Sequence, residues 1–214
     1  MINQISSQET SYSIDIWDVS NGEKLRTFSH GGSVRCIAFD PKGRSVCAYA
    51  YAASESVIAV WDLAEGKRQW AVQASYVTSV AFSPDGKYIA SGSQSGVVEI
   101  LDASTGKKTL SLYHGASVYD VSFSSNGKTV LSGGREGKIK IWDATSGIER
   151  LTLAVPGETL VEAVVLSPDE KQLIACCRTG VWVWELEGNN EVNSAAHGFM
   201  QPGIDPRSRL PDSQ

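Results

Sequence analysis

No stretch of this 214-residue chain approaches the roughly 20 consecutive apolar residues of a membrane span. Segment 1–10 is polar and has no apolar h-region, so no secretory leader is expected. Cysteine is scarce, and its four copies, Cys36, Cys47, Cys176 and Cys177, all fall inside strand-like runs. That usage excludes a disulfide framework and implies free thiols in a reducing compartment, reactive only after unfolding. Basic excess is absent: 19 Lys and Arg face 24 Asp and Glu, for a net charge of −5 with the signs interspersed. Phosphate backbones are therefore poor partners, and no nucleic acid or membrane contact is expected. No window sustains a 3.6-residue apolar period, so no core helix is assigned. The expected setting is the cytoplasm, with the nucleus as an alternative.

What the chain does have is a repeat. Trp17-Asp18, Trp61-Asp62, Leu101-Asp102, Trp142-Asp143 and Trp184-Glu185 each close a short alternating apolar run. Successive copies lie about 40–44 residues apart, a spacing typical of propeller blades. Turn signals recur in step: Asp40-Pro41-Lys42-Gly43, Ser83-Pro84-Asp85-Gly86, Ser125-Asn126-Gly127 and Ser167-Pro168-Asp169-Glu170. Proline presets φ at a turn corner and glycine accepts positive φ. Glu170 stands where the others have glycine, so the fourth turn is expected to be strained or differently built.

Between the turns the pattern predicts four strands per repeat. First strands span 34–39, 77–82, 118–123 and 162–166, and second strands 45–51, 88–92, 129–133 and 172–176. Third strands span 14–18, 58–62, 98–102, 139–143 and 181–185. Fourth strands span 24–28, 67–72, 108–112, 149–153 and, weakly, 191–195. All are short and rich in β-branched and aromatic residues. The organisation read from this is a polar segment 1–10, a repeat region 11–196 and a tail 197–214. The repeat region divides into a partial blade 11–29 and blades at about 30–72, 73–112, 113–153 and 154–196. Pro202, Pro206 and Pro211 mark the tail as disordered and exclude another strand there.

On these residues the chain resembles the WD-repeat β-propellers, over roughly residues 11–196. The third repeat carries the fullest signature: His114-Gly115, Val118 to Phe123, Ser132-Gly133 and Ile139 to Asp143. The resemblance implies a hydrogen-bonded tetrad of His114, Ser132, Glu136 and Trp142, with Glu136 where the family prefers Asp. Repeat one keeps His30 and Trp61 but has Tyr51 and Glu55 at the other two places. Repeat two keeps Ser91 beside Gln73, Ser95 and Leu101, and repeat four keeps Trp184 and has a shorter turn before its third strand. A partly satisfied polar chain stabilises little, so apolar packing is expected to hold repeats two and four.

Other constellations have plainer readings. Ser132-Gly133-Gly134-Arg135-Glu136-Gly137-Lys138 lacks the first glycine of a phosphate loop and leads into a strand. Asp18, Asp62, Asp102, Asp143 and Glu185 lie on different blades, too far apart for a carboxylate pair or metal cage, and cap the turns that follow. His30 and His114 hold one repeated position, which suits a blade-internal bond better than a catalytic base. No catalytic residue, metal or cofactor is expected. Trp182 and Trp184 share one strand face, either as core or as an exposed anchor.

The resemblance implies a non-catalytic scaffold for other proteins, contacting them by its narrow face and rims. Arg35, Tyr76, Thr78, Tyr119, Arg135, Arg178 and Trp182 are the candidate contact residues, since mixed aromatic and arginine character suits a hot-spot surface. Two alternatives are a segment of a larger regulatory protein and a propeller enzyme. The chain begins with a third and a fourth strand, so an all-β open arc of about four blades plus two N-terminal strands is expected. The uncovered ends would carry Ile14, Ile16 and Trp17 on one side and Trp182 and Trp184 on the other. Self-association or blades donated by a partner would complete it.

Overall fold

The structure is a computed structural model and describes residues 12–51, 56–157, 160–187, 191–192 and 197–199. β1 (Tyr12–Trp17) pairs β2 (Lys24–His30) in a two-stranded antiparallel sheet. The first full blade is β3 (Ser33–Phe39), β4 (Ser45–Tyr51), β5 (Ser56–Asp62) and β6 (Lys67–Gln73), hydrogen-bonded in that order. The second is β7 (Val77–Phe82), β8 (Tyr88–Ser93), β9 (Val97–Asp102) and β10 (Lys108–Tyr113). The third is β11 (Val118–Phe123), β12 (Thr129–Gly134), β13 (Lys138–Asp143) and β14 (Glu149–Ala154). The fourth has β15 (Val161–Leu166), β16 (Gln172–Cys177) and β17 (Gly180–Glu187). Along its outer edge lie two short strands, β18 (Glu191–Val192) and β19 (His197–Phe199). The described residues contain no helix.

The outer edge of the fourth blade differs from the sequence expectation. A single strand over 191–195 was expected, with residues from 197 left to a tail. Instead β19 pairs β17 at Val181↔Phe199 and Val183↔His197. The prolines that ruled out a strand lie beyond this segment, so its amides stay available to the ladder. Residues 1–10 and 200–214 lie outside the described residues.

Blades pack by one rule, repeated at four junctions. The third-strand residue at the tryptophan place points back to the preceding blade, while its apolar neighbours one and three places earlier point forward, as strand alternation requires. Thus Trp61 packs on Ile14 and Phe28, Leu101 on Ile58 and Val60, Trp142 on Val98 and Ile100, and Trp184 on Ile139 and Ile141. Apolar packing therefore does hold blades two and four. The same rule fixes what the two ends show. Trp17 faces away from the first blade and is 53% exposed. Val165 and Val181, on the forward face of the fourth blade, are 49% and 41% exposed.

This corrects the expectation for the far end. Trp182 and Trp184 do not lie uncovered: Trp184 is buried in the core between blades three and four, and Trp182 packs on that core. Their rings stack at 6.4 Å. At the near end β1 has no strand partner other than β2 among the described residues, as expected. Of the three side chains expected there, however, only Trp17 is uncovered: Ile14 is buried and Ile16 half-buried against the first blade, because alternation turns them forward. The sheets do not close into a ring, and the molecule is an open arc of four blades plus two strands.

The first strands β3, β7, β11 and β15 lie side by side along the inside of the arc. Asp120 on β11 ties three blades together. One carboxylate oxygen accepts from Ser79 Oγ at 2.9 Å and the other from Val164 N at 2.9 Å. Burial raises its pKa despite these bonds. The aspartates that end third strands cap the following turns: Asp62 accepts from Ala64 N at 2.8 Å and Glu65 N at 2.7 Å, and Asp143 from Thr145 N and Ser146 N. At the fourth of the turns between first and second strands Glu170 takes φ +58°, the strain expected there. Its carboxylate reaches across to Asn126 Nδ2 at 2.8 Å, which helps offset the cost.

All four cysteines are free. Burial pushes the Cys36 thiol up to about 11 and raises Cys47 further. Cys176, however, is exposed on the forward face of β16, so uniform inertness is not expected after all. A thiol reagent should label Cys176 in the native protein, and Cys47 and Cys177 only on unfolding. Mass spectrometry of partially labelled protein reads this directly; protection of Cys176 would mean that its face is covered.

Candidate partner-binding face

Each first strand opens with a β-bulge, one residue after its leading valine. The register skips Arg35 between Val34 and Cys36, Thr78 between Val77 and Ser79, Tyr119 between Val118 and Asp120, and Glu162 between Val161 and Ala163. A bulge leaves one residue out of the ladder and re-aims its side chain. Three of the four bulge residues are candidates from the sequence; Glu162 was not, because its alignment became evident only through the register.

Arg35, Thr78 and Tyr119 line one cavity of about 490 Å³, together with Tyr49, Tyr51, Tyr76, Val77 and Gln94. It sits at the loop end of the first three blades, opposite the proline turns. Its cause lies in β4. Tyr49 occupies the place held by Gly92 in β8 and Gly133 in β12, as the pairings with Cys36, Ser79 and Asp120 show. At those glycines a Cβ would collide with Val118 and Val161 of the next blade, at 2.6 and 2.7 Å. A tyrosine forbids that approach, and β7 accordingly approaches β4 less closely than β11 approaches β8. The cavity opens between β4 and β7, while the first strands β3 and β7 stay packed together.

Tyr76 stands in the turn before β7 at φ +55° and is 63% exposed. A tyrosine in that region costs on the order of 1–3 kcal/mol, and such strain concentrates at functional sites. Its backbone is fixed by two bonds: its N–H donates to Tyr49 Oη at 3.0 Å, and its carbonyl accepts from Gln94 N at 3.0 Å. Equivalent places in neighbouring blades hold Ser33 and Ser117, so the ring is an addition peculiar to this junction. Thr78 has a different role. Its hydroxyl is shared between the carbonyls of Gly92 and Val118, at 3.0 and 2.8 Å, and acts as a strut between blades.

The remaining candidates lie elsewhere. Arg135 bridges Leu160 through its backbone at the junction of blades three and four, and Arg178 is exposed in the short turn between β16 and β17. Trp182 is half-buried, packed against the core between blades three and four. Tyr49, Tyr51 and Gln94 were missed. A tyrosine at a glycine place is the signal that marks Tyr49, legible once the second strands are in register.

Register also corrects the first repeat: Ala48, not Tyr51, holds the serine place, since Ala48 pairs Ile37 and Ala59 as Ser132 pairs Val121 and Lys140. In the third repeat His114 Nδ1 lies 2.8 Å from Ser132 Oγ, and Trp142 Nε1 donates to the same oxygen at 2.9 Å. Glu136 turns outward to Lys138 Nζ at 2.6 Å and leaves the chain. His114 Nε2 is buried without a partner among the described residues. In the second repeat, where histidine and tryptophan are replaced, a cavity of about 300 Å³ remains beside Ser91, Ser93 and Ser95.

Sequence comparison settles the family. The WD domain, G-beta repeat, matches residues 22–62, 67–102 and 106–143. The chain belongs to the WD-repeat family. Among WD-repeat relatives, THO complex subunit 3 of Arabidopsis thaliana is 30% identical over 86 residues, covering 37% of this chain and 25% of the relative. Small ribosomal subunit protein RACK1z of Oryza sativa subsp. japonica is 38% identical over 69 residues, 32% of this chain and 20% of the relative. Eukaryotic translation initiation factor 3 subunit I of Candida albicans is 31% identical over 118 residues, 48% of this chain and 34% of the relative. The chain thus spans about a third or less of the length of these relatives. WD-repeat proteins act in general as non-catalytic scaffolds for protein–protein contacts.

The WD tetrad gives a pH prediction. Burial, with the Lys140 and Lys138 charges, holds the His114 pKa down at about 4. The unfolded chain takes up that proton below about 6.5, so stability from this group is full above that pH and falls as pH drops toward 4. Glu136→Asp should stabilise the fold by about 0.5–1.5 kcal/mol. The shorter acid cannot swing out to Lys138, can turn back to His114, and tolerates the φ of +65° better. Urea titrations at pH 7 and pH 5 test this, with a smaller acid loss in the variant; no gain at either pH would contradict it.

Proposed function

We propose that this chain is a non-catalytic protein–protein interaction scaffold that binds its partners through the face around the Arg35–Tyr76–Tyr119 cavity. The observation that carries this reading is the convergence of three successive bulge residues and a strained, exposed tyrosine on one cavity. Tyrosine and arginine are the side chains most often found at binding hot spots. Three of the relatives are named as subunits of multi-protein assemblies, which favours the same class. The working location is the cytoplasm, with the nucleus as the alternative.

The open ends support a second element of this reading: self-association, or blades donated by a partner, covers Trp17 and the Val165–Val181 face. The chain acting as a segment of a larger regulatory protein remains a companion reading, favoured by the small share of its relatives that it spans. A propeller enzyme is the third reading, and no observation on the cavity favours it over the scaffold. Affinity capture with the wild type, with Arg35→Glu/Tyr76→Ala and with Lys42→Glu on the opposite face tests the proposal. Partners should be lost from the cavity variant alone; equal capture by all three would overturn it.

A further inference from the structure

We infer that the cavity selects an anionic side chain on a peptide ligand, with Arg35 as the pairing group; this rests on the cavity being the partner-binding site. Arg35 is exposed at its bulge and forms no ion pair among the described residues. Among the described residues no acidic side chain lines the cavity, although acids outnumber bases in the chain as a whole. The fourth bulge carries the opposite charge, Glu162, but it lies on the fourth blade, beyond Tyr119, and is not among the described lining residues.

The neutral lining adds donors. Tyr51 presents an exposed phenol, and the exposed Gln94 side chain has no partner among the described residues. Guanidinium, amide and phenol donors around one opening match carboxylate or phosphate oxygens, which only accept. The rings of Tyr76 and Tyr119 flank the opening and supply apolar contact for the neighbouring peptide residues. A cationic ligand group would meet Arg35 without a counter-charge.

Fluorescence anisotropy with labelled heptapeptide pools tests this on the full chain. The pools differ only in a fixed central residue: Glu, phosphoserine, Gln or Lys. The Glu pool, the phosphoserine pool or both should bind at least about ten-fold more tightly than the Gln and Lys pools, and rising salt should reduce the difference. The preferred pool tells whether the anion is a carboxylate or a phosphate. Arg35→Gln should abolish the preference, Tyr76→Ala should weaken all pools alike, and Glu162→Gln should leave binding unchanged. Arg35 is solvent-exposed and has no ion pair among the described residues, so its variant folds; thermal melts verify that. Binding that depends on Tyr76 but ignores ligand charge overturns the inference and leaves the face reading standing. Binding that survives Arg35→Gln and Tyr76→Ala together overturns both. No binding by any pool also overturns the inference.

Discussion

Trp142→Ala should lower the unfolding free energy by about 3–5 kcal/mol, the range for emptying a buried aromatic site. Trp142 is 4% exposed, packs on Val98, Ile100 and Leu112 of the second blade, and donates to Ser132 Oγ. Its loss removes ring volume and a buried donor together. Leu101 holds the same place one blade earlier and is just as buried, but it has no polar chain to support. Leu101→Ala should therefore cost less. Trp142→Phe separates the two contributions: it keeps most of the volume, drops the indole donor, and should cost about 1 kcal/mol from the hydrogen bond alone. Equal losses for Trp142→Ala and Leu101→Ala in denaturant titrations would contradict the ranking.

The second large effect lies at the ends of the arc. At every internal junction a back-facing Trp or Leu meets a forward-facing pair of Ile or Val residues. Trp17 and the Val181–Val183 face are the two unmatched halves of that pattern. Beside Trp17, β1 has an edge that is unpaired among the described residues, a template for further pairing. Trp17→Glu and Val181→Lys, each on an exposed side chain, should leave the fold intact while sharply reducing self-association and binding of a hydrophobic dye. Unchanged association in both variants would move the contact elsewhere.

Much of this fold was legible in the sequence for identifiable reasons. The strands follow from period-two runs bounded by Asp-Pro-Lys-Gly and Ser-Pro-Asp-Gly turns, and turn chemistry fixed hairpin positions closely. Arg35, Thr78 and Tyr119 stood out by their place beside the first strands and by the mixed aromatic and arginine character of the set, while the bulges themselves did not show. Three things did not show. Facing was one: Trp184 lies on the last blade, but alternation turns it back toward Ile139 and Ile141, so it is covered. Register within β4 was another, and the shift from Tyr51 to Ala48 at the serine place conceals that Tyr49 replaces a glycine. The third was the strand His197–Phe199, hidden by its closeness to prolines that lie just beyond it. Periodicity reports which residues alternate, but only pairing to a neighbour tells which glycine a tyrosine has replaced.

The central claim is that these blades form an open arc with two uncovered ends. Multi-angle light scattering at low micromolar concentration tests it most directly. The open arc predicts a mass above that of the 23.0 kDa monomer, rising with concentration and falling back in Trp17→Glu. A compact, monodisperse 23.0 kDa species that binds no hydrophobic dye would contradict it.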